Sequence, residues 1–323
     1  MADVIRFASP GGPDVLALEH TETGDPGDGE VRIKQTAVGL NYIDVYHRTG
    51  QYPLPLPSGV GIEAAGIVEA VGDGVTDLTE GDRVAYGAGP IGAYASERLM
   101  PAGRLVKLPD AISDETGAAM MLKGMTAEYL IRRTFEVKAG MPVLFHAAAG
   151  GVGLIVGQWL KHIGAITIGT VGTKEKAELA RAHGYDHTIL YREEDIAARV
   201  RDITGGDGVP VVYDGVGQDT FSASIDSLAP RGLMVSFGAA SGPVPAVEPK
   251  LLSQKGSLYF TRPTVMTYVE RREDLVDSTN ALFAAVQAGV KIEINQRYAL
   301  KDAARAHRDL EARKTTGSSI LIP

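Results

Sequence analysis

The chain has 323 residues, 44% of them hydrophobic and 6% aromatic, which is enough apolar material for about two domains with cores of their own. Its net charge of −8 argues against a general nucleic-acid or anionic-membrane partner. With no cysteine, a disulfide, a thiolate nucleophile and a cysteine-ligated metal are all excluded. The start, Met1-Ala2-Asp3-Val4-Ile5-Arg6, lacks the apolar core of a signal peptide, no stretch is long and apolar enough to span a bilayer, and the expected location is the cytoplasm.

In chain order, the first part, to about residue 120, is rich in β-type runs: Val31 to Val38, Ala64 to Val71 and Asp82 to Tyr86. Gly11-Gly12-Pro13, Pro53 to Pro57, Gly72-Asp73-Gly74 and Gly87 to Gly92 punctuate it, which predicts an irregular, barrel-like β domain. From about Lys123 strands and helices alternate. Strands are predicted at Val143 to Phe145, Ala165 to Val171, Thr188 to Leu190, Val209 to Asp214, Leu233 to Phe237 and Ser257 to Phe260. Helices fall between them at Gly151 to Ile163, Lys174 to His183, Glu193 to Ile203, Thr220 to Leu228 and Pro249 to Gln254. Short crossovers imply a parallel sheet covered on both faces, and this number of strands makes a complete doubly wound dinucleotide fold. After Arg262-Pro263, a helix (about Arg271 to Gln287), the run Ile292 to Tyr298, a helix at about Lys301 to Ala312 and Ile320-Leu321-Ile322 read as a return to the first domain. The expected organisation is a β-rich domain from residues 1–122 and 264–323, an inserted domain at 123–263, and a cofactor cleft between them.

The most informative segment is His146-Ala147-Ala148-Ala149-Gly150-Gly151-Val152-Gly153, which follows the apolar strand Val143-Leu144-Phe145 and opens a helix. Small residues there let backbone N–H groups approach a pyrophosphate, and the helix N-terminus presents partial positive charge to it. The turn reads Ala148-x-Gly150-x-x-Gly153, with alanine at the usual first glycine; a tight strand-to-helix turn without a ligand also favours glycine. The end of the next strand carries no acid for a ribose 2′-hydroxyl. It reads Gly172-Thr173-Lys174-Glu175-Lys176, and Tyr191-Arg192 ends the strand after it. Two lysines in a first helical turn oppose the helix dipole unless an anion offsets them, so these residues point to a 2′-phosphate and to NADPH rather than NADH. Solvation of an ordinary helix start by Lys174 and Lys176 is the alternative.

This order of parts resembles the medium-chain dehydrogenase/reductase superfamily. Within it, Gly140-Met141-x-x-Leu144-x-x-x-Ala148-Ala149-Gly150-Gly151-x-Gly153-x-x-x-x-Gln158-x-x-Lys161 is similar to the signature of the zinc-free, zeta-crystallin-like NADPH:quinone reductases of bacterial type. Asn41-Tyr42-Ile43-Asp44, Gly61-Ile62-Glu63-Ala64-Ala65-Gly66, Gly81-Asp82-Arg83-Val84, Lys123-Gly124-Met125-Thr126-Ala127 and Val212-Tyr213-Asp214 extend the match over nearly the whole chain. The resemblance implies an α/β protein, with a GroES-like β-rich catalytic domain and an inserted Rossmann doubly wound parallel sheet. Zinc-dependent relatives have a cysteine and a histidine where this chain has Asn41 and Ile62, so a tetrahedral catalytic zinc has lost its usual ligands. His183 and His187 do not rebuild one, because Gly184 and a turn separate them. Glu63 then reads as a structural hydrogen-bond acceptor.

The function so implied is NADPH-dependent quinone reduction by metal-free electron or hydride transfer. A quinone is a good acceptor, and the protein mainly supplies alignment, a dry slot and a hydrogen bond to the developing oxyanion. The catalytic candidates are Asn41, Tyr46, Tyr52 and Thr126. The cofactor candidates are Asn41, Tyr42, Asp44, Thr126, Tyr129, Gly150, Gly151, Val152, Gly172, Thr173, Lys176, Tyr191, Val216, Phe237, Gly238, Ala239, Phe260, Thr261 and Arg262. Asp44 is also placed to cap a helix. Two other readings compete: reduction of enone or enoyl C=C bonds with NADPH, and a non-catalytic, crystallin-like NADPH-binding protein. The resemblance also implies a homodimer formed through the sheet edge at Ser257 to Phe260.

Overall fold

Glycine and proline cut the first part of the chain into short strands, and the structure, a computed structural model describing residues 1–323, folds these into one unit made of Met1–Met125, Tyr268–Gln287 and Ile292–Pro323. Its elements are β1 (Ala2–Phe7), β2 (Ala17–Thr21), β3 (Glu30–Leu40), α1 (Tyr42–Thr49), β4 (Ser58–Gly59), β5 (Ala64–Val71), β6 (Arg83–Tyr86), β7 (Glu97–Pro101), β8 (Val106–Lys107) and most of α2 (Asp114–Glu128). β2-β1-β4 form one small sheet; a second runs β15-β16-β3-β5-β6-β8, with β7 also on β3. β15 (Ile294–Ala299) and β16 (Ser318–Ile322) come from the chain's end, and Leu40 of β3 pairs with Ser319 of β16. The core of this unit includes Val31, Ile33, Val38, Val68, Val84 and Leu321, all 0–1% exposed. β3 carries Gly39 because a methyl there would strike the Glu63 carboxylate and the Ala118 carbonyl.

The second unit, Thr126–Thr267 with Ala288–Lys291, alternates strand and helix. It holds β9 (Pro142–Phe145), α3 (Gly151–Ile163), β10 (Ile166–Val171), α4 (Lys174–Ala182), β11 (His187–Leu190), α5 (Ile196–Ile203), β12 (Val209–Asp214), α6 (Phe221–Ser227), β13 (Leu228–Ser236), α7 (Pro249–Gln254), β14 (Tyr259–Thr261) and most of α8 (Val265–Tyr268). The strands pair in parallel in the order β11-β10-β9-β12-β13-β14, with Val211 opposite Val143 and Gly169 opposite Phe145. Both faces of the central strands are covered, so Val143, Leu144, Val211, Val212 and Tyr213 are fully buried and read as continuous apolar runs. Two more helices, α9 (Arg272–Gln287) and α10 (Ala303–Glu311), lie in the C-terminal return. No helix is long and apolar enough to cross a membrane.

Several boundaries depart from the sequence expectation, and three of the departures have clear local reasons. The helix expected from Glu193 starts at Ile196, because the Glu194 carboxylate accepts the Leu190 N–H at 2.8 Å and Asp195 caps the helix through the Ala198 N–H at 2.8 Å. The strand expected from Ser257 begins at Tyr259, since Ser257 has φ 58° and is not extended. The strand expected from Leu233 starts at Leu228 and passes through Arg231 at φ 63°, an irregularity that Pro230-Arg231-Gly232 disguises as a turn.

Candidate functional site

In the second unit the strand ends bring the expected nucleotide residues to one edge of the sheet. Gly150 is the N-cap of α3, with no side-chain cap, which leaves the first N–H groups of Gly151 and Val152 without a side-chain acceptor. Gly153 lets α3 press onto the turn: a Cβ there would lie 2.5 Å from the Ala147 carbonyl oxygen and 2.6 Å from that of Ala148. Ala147 holds a left-handed backbone, φ 58°. Gly172 and Thr173 follow β10. Thr173 caps α4 by accepting the Lys176 N–H at 3.3 Å, and the Tyr191 hydroxyl after β11 lies against Gly172. Val216 follows β12. Phe237, Gly238 and Ala239 follow β13, and Phe260, Thr261 and Arg262 close β14. All therefore sit at the carboxyl ends of parallel strands, where open α/β sheets bind ligands. A glycine cradle, a helix N-terminus and a strand end free of acid fit a phosphorylated dinucleotide.

Beneath these loops lies a buried polar chain. Asp214, fully buried at the end of β12, accepts the N–H groups of Val216 at 2.8 Å and Gly217 at 3.0 Å, the Thr220 hydroxyl at 2.8 and 2.9 Å, and the Ser224 hydroxyl at 2.6 Å. Ser224 spends its proton on Asp214, so it accepts from His146 Nε2 at 2.9 Å, and His146 Nδ1 accepts the Thr170 hydroxyl at 3.0 Å. His146 is completely buried, and burial pulls its pKa below the usual imidazole range, partly opposed by Asp214. The carboxylate touches the serine rather than the histidine, so this is not a nucleophilic triad. It ties the ends of β9, β10 and β12 to α6.

In the first unit, α1 carries the expected tyrosines. Tyr42 and Tyr46 lie one turn apart with ring centroids 5.4 Å apart, and Tyr52 meets Tyr46 edge-on at 5.1 Å. Asn41 is the N-cap of α1 and is buried. Its side-chain Nδ2 donates to Glu63 Oε2 at 2.7 Å, so one of the two amide protons expected for an acceptor is already committed. Glu63 is fully buried. It also accepts the Leu122 N–H at 2.7 Å on Oε1 and Lys123 Nζ at 3.1 Å on the oxygen that Asn41 uses. Thr126 lies further along α2, half-buried, and Tyr129, 2% exposed, opens a π-helical turn, Tyr129–Thr134.

Asp44 has no exposed surface; its carboxylate accepts the Asn41 backbone N–H at 2.9 Å and the Tyr94 hydroxyl at 3.0 Å, which makes it a cap of α1. Its side chain thus faces protein on all sides, and a direct cofactor contact from it needs the backbone. Asp44 Oδ1 has no partner, and burial pushes the acid up to about 7 against the downward pull of Asn41 and Tyr94. The network continues from Tyr94 to His307 Nε2 at 3.0 Å, from His307 Nδ1 to Arg48 at 3.2 Å, and from Arg48 to Glu311 by two bonds of 2.8 Å. Burial, helped by Arg48, lowers the His307 pKa to about 3. Sequence reasoning missed Lys123, Arg48, Tyr94 and His307. Lys123 stood in a quoted motif, but its meaning comes from Glu63, sixty residues away.

Residues 27–110 match the alcohol dehydrogenase GroES-like domain and residues 151–280 the zinc-binding dehydrogenase family. That pairing, with a dinucleotide sheet inserted into a β-rich unit, defines a medium-chain dehydrogenase/reductase. The chain is 54% identical to the quinone oxidoreductase of Pseudomonas aeruginosa and 48% identical to a 2-haloacrylate reductase of a Burkholderia species, in each case over 100% of this chain and at least 99% of the relative. It superposes on the crystal structure of Escherichia coli quinone oxidoreductase complexed with NADPH with a TM-score of 0.98, at 50% identity over 99% of this chain and 100% of that one. The chain belongs to the quinone oxidoreductase family of that superfamily. Although a matched domain is named for zinc, no group of three or more histidine, aspartate or glutamate side chains here is arranged to hold a metal ion.

Proposed function

We propose that the chain is an NADPH-dependent quinone reductase. The observation that carries this reading is full-length identity of about half with quinone oxidoreductases, joined to a strand end that offers Thr173, Lys176 and Tyr191 in place of an acid. Gly150, Gly151 and Val152 take the pyrophosphate at the start of α3. Gly172, Thr173, Lys176 and Tyr191 take the 2′-phosphate, and Val216 the adenosine side. Phe237, Gly238, Ala239, Phe260, Thr261 and Arg262, with Tyr42, Asp44, Thr126 and Tyr129, serve the nicotinamide half. Bound NADPH supplies the hydride. Tyr46 and Tyr52 offer edges and hydroxyls to a flat acceptor, and Asn41 and Thr126 offer hydrogen bonds to its oxygens.

The test is loss of the NADPH absorbance band with benzoquinone, naphthoquinone, phenanthrenequinone and a simple enone, using NADH as control and a chelator-treated sample alongside. Quinone-dependent oxidation of NADPH at least tenfold faster than of NADH, unchanged by chelation, is expected. Turnover with the enone alone overturns the reading, as does NADPH binding with no turnover.

We further infer a cytoplasmic homodimer. β14 ends the parallel sheet and exposes Tyr259 at 62%, an edge that a second copy would extend. Light scattering at micromolar concentration should give twice the chain mass of 34.1 kDa; a monomer refutes this.

A further inference from the structure

The ion pair between Lys123 and Glu63 is more than charge balance requires. Glu63 is fully buried, and the Lys123 side chain is 9% exposed. Taking both charges out of water is costly, and a hydrophobic pair of similar volume would commonly serve stability as well. The carboxylate is held at both oxygens, by the Leu122 N–H on Oε1 and by Lys123 and Asn41 together on Oε2. Gly39 leaves it room and no more. Glu63 thus clamps two donors side by side. Lys123 gives Glu63 one of its three N–H groups, and the other two have no protein partner. Thr126 lies three residues further along α2, on the same helical face.

We propose that Lys123 is a catalytic residue of the quinone reduction: its free N–H groups bind the acceptor oxygen on which negative charge develops, and one then protonates it, while Glu63 is the positioning residue that holds Lys123 and Asn41 together. This rests on the quinone reductase reading. Net addition of a hydride, two electrons and one proton nucleus, converts a quinone to the hydroquinone monoanion. The remaining oxygen forms its O–H bond as an N–H bond of Lys123 breaks, giving the neutral hydroquinone, and the amine regains a proton from water.

Lys123→Met alone strands a buried carboxylate, so the test uses Lys123→Met with Glu63→Gln, and separately Lys123→Arg, which keeps the cation but cannot release its proton. Steady-state rates are measured across quinones whose reduced forms differ in basicity, with NADPH affinity by fluorescence titration and a solvent isotope effect on kcat. The double variant should lose roughly 10²–10³-fold in kcat, more for the more basic products, with NADPH affinity within about twofold. Lys123→Arg should recover most of the rate for weakly basic products and lose the solvent isotope effect. A double variant within about threefold of the parent, or an equal loss with every quinone, overturns the inference and leaves the quinone reductase reading standing. An unaltered chain that fails to oxidise NADPH with any quinone overturns both.

Discussion

Gly153→Ala should raise the dissociation constant for NADPH at least a hundredfold and lower the melting temperature. The added methyl would meet backbone oxygen at 2.5 and 2.6 Å and the Ala148 carbonyl carbon at 2.7 Å, atoms that no rotamer change moves aside. Relief requires α3 to back away from its turn. Tyr185 donates to the Gly153 carbonyl at 2.9 Å, so the same shift stretches that bond. Ala147 already holds a left-handed backbone, which costs an alanine about 1–2 kcal/mol, and so has no slack to give. Overpacking of this kind costs about 1–3 kcal/mol in stability. The larger effect falls on binding, because the N–H groups proposed to meet phosphate belong to the displaced turn. Fluorescence titration and calorimetry check both; an affinity within threefold of the parent contradicts the assignment of this turn.

Asp44→Asn should gain stability relative to the parent as pH rises from 5 to 8, and the sign is fixed by burial. The acid sits at about 7 in the folded chain against an ordinary 3.8. Below about pH 4 folded and unfolded chains both hold the proton and there is no cost. As pH rises from 4 to 7 Asp44 ionises in the unfolded chain but not in the folded one, so its contribution to stability falls, by about 2–3 kcal/mol between pH 5 and 7, and stays down above that. Asparagine cannot ionise. Whatever its amide loses at the Asn41 N–H and the Tyr94 hydroxyl is the same at every pH, so the readout is the change in the difference between variant and parent. Relative to the parent, the variant should gain several degrees in melting temperature between pH 5 and pH 8. His307, at about 3 when folded against an ordinary 6.5, adds stability as pH rises through the same window, but it does so in parent and variant alike and cancels in the difference between them. A difference that stays flat across the window refutes the buried-acid account.

The second unit was the more legible in the sequence because its information is local. An apolar strand, a small-residue turn and an amphipathic helix are contiguous, and α3, α7 and β12 begin and end where periodicity puts them. Asn41 stood out in the sequence by contrast, as an amide where zinc-dependent relatives carry a thiolate, and its part in the site is a proposal. The first unit hid its chemistry because its partners are distant in sequence. Arg48 is 1% exposed and meets His307 and Glu311 from the far end of the chain. An isolated arginine in a helix reads as a surface residue, and nothing near it in sequence says otherwise. Asp44 looked like a cap and is one, yet the missing partner at Oδ1 and the hydroxyl of Tyr94 appear only when the strands are assembled.

The pairing of β3 with β16 has a consequence for how the protein is made. β3 emerges from the ribosome early, and its neighbour in the sheet, the strand bearing Ser319, Ile320 and Leu321, emerges after the whole dinucleotide unit. The inserted unit has every one of its sheet strands in hand first and is free to fold while the β-rich unit waits with one side of β3 open. For a growing chain at about 5–20 residues per second this interval lasts on the order of ten seconds or more. Its exposed run, Val38-Gly39-Leu40, is the segment a nascent-chain chaperone should be found holding.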